Sequence, residues 1–116
     1  MRAALPLLLL GAGASLSAAA LARAPAQAER GRAAYATRCA ECHGRALEGV
    51  DEMPPLMGAR FQAKWRGREA ALADKIRRSM PQDDPGSLAP ADAAEITALI
   101  LSANKLSPLP APVRSR

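Results

Sequence analysis

The chain has two cysteines and one histidine, and all three fall inside Cys39-Ala40-Glu41-Cys42-His43. The spacing C-x-x-C-H is that of a covalent haem attachment site. Two cysteines three positions apart reach the two vinyl groups of one porphyrin and form thioethers. The histidine that follows is then held under the iron, where an imidazole nitrogen supplies one axial bond. A redox dithiol would use Cys39 and Cys42 alone, but it expects a strand-helix-strand setting that the sequence does not offer. Structural zinc wants four Cys or His ligands, and the chain has three.

A second axial ligand has to come from further along the chain, and Met80-Pro81 is the strongest candidate. Proline pushes the preceding residue out of helical geometry, so a helix over Arg68–Ser79 should stop just before Met80 and leave its thioether projecting from extended backbone. A His/Met pair raises the reduction potential of a haem iron. The 37 residues from His43 to Met80 leave room for a loop and a helix around the haem edge. Met53 and Met57 are rivals for the role, and Met53 also precedes a proline. Both sit in the loop assigned to the histidine's side of the ring.

Three main helices must position these groups. From Glu29 to about Cys42, Gly31, Tyr35 and Cys39 recur every four residues on one face, and Gly31 invites close approach by another helix. Leu72 and Ile76 stripe the second helix, with Glu69 in its first turn and Arg77-Arg78 in its last. Pro90–Ala103 is the third: Pro90 suits the first helical position, Asp92 and Glu95 follow, and Ile96, Leu99 and Ile100 face inward. Asn104 is its expected stop. This helix should cross the first near Gly31 and Tyr35. Gly44 to Arg60 reads as loop, with Pro54-Pro55 and no helical period. No internal repeat, strand pattern or second haem motif is visible.

Gly-x3-aromatic-x3-Cys-x-x-Cys-His resembles the N-terminal helix of class I c-type cytochromes, and the likeness covers nearly all of residues 29–105. Pro54-Pro55-Leu56-Met57-Gly58 is similar to that family's Pro-x-Leu-x-Gly segment. The resemblance implies that the Pro54 carbonyl accepts the hydrogen bond from the other ring nitrogen of His43, which fixes the tautomer and raises the basicity of the imidazole. It also offers the Trp65 indole N–H to a haem propionate, although ordinary core packing serves that residue equally. The Met-Pro turn resembles the family's sixth-ligand segment. The implied fold is a small all-α cytochrome c domain wrapped around one haem c, attached through Cys39 and Cys42, with His43 and Met80 as iron ligands.

The start of the chain reads as an export signal over residues 1–28. Met1-Arg2 is followed by an uncharged stretch, Ala3 to Ala22, and Ala26-Gln27-Ala28 has the small-x-small pattern of a cleavage site. An uncleaved membrane anchor is the alternative. The domain then occupies residues 29–105, and residues 106–116 form a Pro-rich flexible tail.

Of 116 residues, 88 follow the signal, which is small for a self-sufficient core, and three aromatic residues add little volume. Haem would be the largest piece of that core, so the apoprotein is expected to fold poorly. The net charge is +5, and +3 without residues 1–28. The basic residues are scattered, with no concentrated face or motif for nucleic acid.

With both axial positions filled, the reading is a periplasmic carrier of single electrons between a dehydrogenase or membrane complex and a terminal acceptor. It would have no catalytic residue and no small-molecule substrate. The alternatives are a haem enzyme or gas sensor with an open iron site, and a bound subunit of a larger dehydrogenase.

Overall fold

The computed structural model describes residues 14–110. The described residues form five helices: α1 (Ala14–Arg38), α2 (Ala40–His43), α3 (Ala59–Trp65), α4 (Glu69–Ser79) and α5 (Pro90–Ala103). Among the described residues the only extended pairing is an isolated bridge between Val50 and Met53. No helix of the described residues is long and apolar enough to cross a membrane. The Leu7–Leu10 run of the expected signal and the last six residues of the expected tail lie outside the described residues.

α1 and α5 form the central crossing. A methyl group at Gly31 would collide with the backbone carbonyl of Glu95, so glycine alone lets the two backbones approach this closely. Arg30 and Glu95 bridge the crossing from outside at 2.8 Å, an exposed pair that contributes little energy. Burial contributes far more. Ile96, Ile100 and Leu101 are at most 2% exposed, and each such side chain stabilises the fold by about 1.5–3 kcal/mol. α5 buries more than the expected stripe, because Ala93, Thr97 and Leu101 are enclosed as well.

α4 packs on α5 through Leu72 and Ile76 and ends where proline requires. Met80 caps it in extended geometry (φ −116°, ψ 148°), and its N–H still closes the last turn onto Ile76 at 3.2 Å.

Two short helices join the three main ones. The first motif is not one continuous helix: the backbone breaks at Cys39 (φ −127°, ψ −33°) and restarts as the single turn α2. α3 begins at Ala59, inside the stretch expected to be loop as far as Arg60. Its two turns are too few for a visible period, yet Phe61 and Trp65, four apart, give it a buried face.

Packing also runs beyond the expected limits of the domain. Ala28 and Leu106 belong to the hydrophobic core, each 6% exposed, and Leu109 packs against it. α5 closes with the bonds of a Schellman motif: Leu106 N–H to Leu101 C=O at 3.0 Å and Lys105 N–H to Ser102 C=O at 3.1 Å. Lys105 takes the left-handed conformation (φ 53°) usually given to glycine, and Leu106 is thereby turned into the core.

Candidate haem-binding site

The break at Cys39 sets the spacing of the site. Cys39 N–H still bonds Tyr35 C=O at 2.9 Å, while Cys39 C=O accepts from Cys42 at 3.2 Å and from His43 at 2.9 Å. The turn therefore brings both thiols and the imidazole onto one short piece of backbone. Both cysteines are free; Cys39 is half-buried against the core and Cys42 is exposed. Burial pushes the Cys39 thiol up to about 11; the Cys42 charge adds to the rise and Arg38 opposes it. At neutral pH Cys39 is thus a neutral thiol.

The His43 ring is held from one side. Its Nδ1 lies 2.8 Å from the Pro54 carbonyl oxygen. A carbonyl can only accept, so Nδ1 carries the proton and Nε2 keeps the lone pair that a metal needs. Pro54 is held in turn by the loop. Gly49, at φ +82°, donates its N–H to His43 C=O at 2.7 Å. A Cβ on Gly49 would sit 2.6 Å from Met53 O and 2.9 Å from Pro55 N, so the bare backbone abuts the proline pair. Leu56 N–H bonds Leu47 C=O at 2.8 Å and closes the loop.

Tyr35 does more than pack. Only 3% exposed, it donates its hydroxyl to Gly44 C=O at 2.7 Å and so holds the peptide directly after His43. Burial, then the nearby Cys39 and Glu48, raises its phenol well above the ordinary range. The spacing of Tyr35 marked it as a packing residue, but nothing local pointed to the Gly44 bond.

Met80 is half-buried at the end of α4, whereas Met53 and Met57 are 43% and 41% exposed. Met57 lines a cavity of about 230 Å³ with Arg32, Tyr35, Arg45 and Leu99. Trp65 is 7% exposed, with its ring 6.2 Å from that of Phe61. Lys64 and Arg68 cover it at 5.1 and 5.5 Å. No group of three His, Cys, Asp or Glu among the described residues is placed to hold a metal ion together.

This donor set suits a covalently attached haem: two reduced thiols on one turn, an imidazole with Nε2 free, and a thioether leaving a helix end. Residues 26–100 match the family model described as cytochrome c oxidase, cbb3-type, subunit III. The chain belongs to this cytochrome c family. Membership implies covalent haem c and electron transfer, the usual work of a cytochrome c domain. The domain is also similar to a chain in the crystal structure of the sulfane dehydrogenase SoxCD from Paracoccus pantotrophus, at 30% identity and a TM-score of 0.55. That match covers 66% of this chain and 43% of the other, so this cytochrome c domain spans less than half of its length. No curated protein matches the chain.

Proposed function

We propose that the chain is a periplasmic monohaem cytochrome c that passes single electrons from a dehydrogenase or membrane complex to a terminal acceptor. The observation that carries this reading is the His43–Pro54 bond. It fixes the imidazole tautomer with Nε2 available, next to two cysteines at attachment spacing. Cys39 and Cys42 would hold one haem c, and His43 and Met80 would bind its iron. When bound, that group would supply one-electron redox chemistry at a potential tuned by the residues that hold its iron.

Everything else is positioning by the chain. Pro54 orients the His43 ring, Gly49 and Tyr35 hold the carbonyls of His43 and Gly44, and the end of α4 presents Met80. Trp65 supplies an N–H for a propionate. Residues 1–28 direct export, and the domain follows from Glu29. The likeness to a chain of a sulfane dehydrogenase supports a dehydrogenase as redox partner.

The test is the visible spectrum of periplasmically matured protein, ferric and ferrous, with and without CO, for wild type and Met80→Ala. A low-spin wild type that ignores CO, beside a mutant that binds it, supports the carrier. A wild type that binds CO readily has an open iron site, and the carrier reading is then abandoned for an enzyme or sensor.

A further inference from the structure

Asn104 is 1% exposed, at the end of α5, and its side-chain amide reaches across to the loop that carries Pro54. Nδ2 donates to Leu56 C=O at 2.8 Å and to Ile100 C=O at 2.8 Å, while Oδ1 accepts from Gly58 N–H at 3.1 Å. These partners fix the orientation of the amide, since the nitrogen must face carbonyls and the oxygen an N–H.

The loop needs such a hold. Pro54 and Pro55 are exposed and have no N–H, so no backbone donor exists between Met53 and Leu56. The direction of the Pro54 carbonyl is therefore set by its flanks. Gly49 abuts it on one side, and Leu56, tied to Leu47 and Asn104, holds it on the other.

We infer that Asn104 is a positioning residue for the proposed haem ligand: by pinning Leu56 and Gly58 to α5 it holds the Pro54 carbonyl on His43 Nδ1, and so tunes the reduction potential. This rests on the reading of His43 as an axial ligand. Only an amide supplies donor and acceptor at this length. Aspartate would turn an acceptor toward the Leu56 carbonyl, and leucine would leave Leu56 C=O and Gly58 N–H without their partner. A looser Pro54 contact makes the imidazole a poorer electron donor, which favours the reduced form.

The experiment measures midpoint potential, solvent exchange of the His43 Nδ1 proton by NMR in the reduced state, and Tm, on matured wild type, Asn104→Leu, Asn104→Ser, Asn104→Gln and Ile96→Val. In Asn104→Leu and Asn104→Ser the potential rises and the proton exchanges about tenfold faster or more, matching the low end of the loss in affinity or activity when a metal ligand's supporting partner is removed. Asn104→Gln restores part of both. Ile96→Val lowers Tm through the core of the same helix and moves neither. If Asn104→Leu does not mature, Asn104→Ser, smaller and polar, reads the same quantities. Asn104 variants that lose Tm at unchanged potential and exchange rate overturn the inference, as does an equal shift in Ile96→Val. Failure of the underlying reading is seen separately, as a wild type without low-spin haem.

Discussion

The Tyr35 hydroxyl donates to the Gly44 carbonyl over 2.7 Å, so a residue buried in the core of the domain also grips the peptide that follows His43. Tyr35→Phe keeps the ring and removes the grip. The buried Gly44 carbonyl is then left with the longer bond from Leu47 N–H at 3.3 Å, and the lost hydrogen bond costs about 0.5–1.5 kcal/mol. Denaturant unfolding of the haem-loaded protein should show that loss, with the absorption bands still those of the wild type.

Gly31→Ala tests the crossing itself. The new methyl meets the Glu95 backbone, which cannot swing aside as a side chain could. Separating α1 from α5 should cost about 2–3 kcal/mol, in the range of overpacked cores. A Tm equal to wild type would mean that the helices do not meet at this residue.

Leu106 tests where the domain ends. It lies one residue beyond the expected boundary, yet it is buried, and Leu106→Ala should lose about 2–4 kcal/mol. Truncation after Lys105 should lose at least as much in the same thermal melt. A tail that contributes nothing would leave both proteins at the wild-type Tm.

The two cysteines of haem-free protein should differ in reactivity. Cys42 is exposed, whereas burial raises Cys39 from 9.0 to about 11. A raised thiol pKa lowers the thiolate fraction at neutral pH, here by roughly a hundredfold, and the thiolate is the nucleophile. Alkylation at pH 7.5, read by peptide mass spectrometry, should therefore label Cys42 first. The Cys39 rate should keep climbing as pH rises through 9 toward 11. Equal rates would show that the core around Cys39 forms only once haem is attached, in line with the poor apoprotein folding expected from the chain's size.

Local pattern made the main helices readable. Leu72 and Ile76 with Pro81 beyond them delimited α4, Pro90 opened α5, and Gly31 announced the crossing, because each signal lies within a few residues of what it controls. α3 escaped because two turns between Gly58 and Gly67 show no period. The end of α5 escaped because Lys105, not glycine, takes the left-handed position and folds Leu106 back. Asn104 was visible as a helix stop, but its partners lie 46 and 48 residues away, a distance that no local pattern spans. The cysteine and histidine spacing was plain from the start. The resemblance already implied the Pro54 carbonyl as the acceptor for His43, whereas the bonds of Tyr35 and Gly49 to the adjoining backbone came from the fold.

The two prolines also bear on solubility. Val50, Met53 and Met57 leave apolar side chains in solvent along one loop, where Met53 N–H bonds Val50 C=O at 2.8 Å and closes a tight turn through Asp51 and Glu52. Exposed apolar side chains beside unpaired backbone would invite a second molecule to add a strand. Pro54 and Pro55 interrupt that backbone with two successive residues that cannot donate, so an incoming strand meets a gap in the ladder. The bare carbonyl turned toward His43 is thus part of a stretch that cannot template edge-to-edge association.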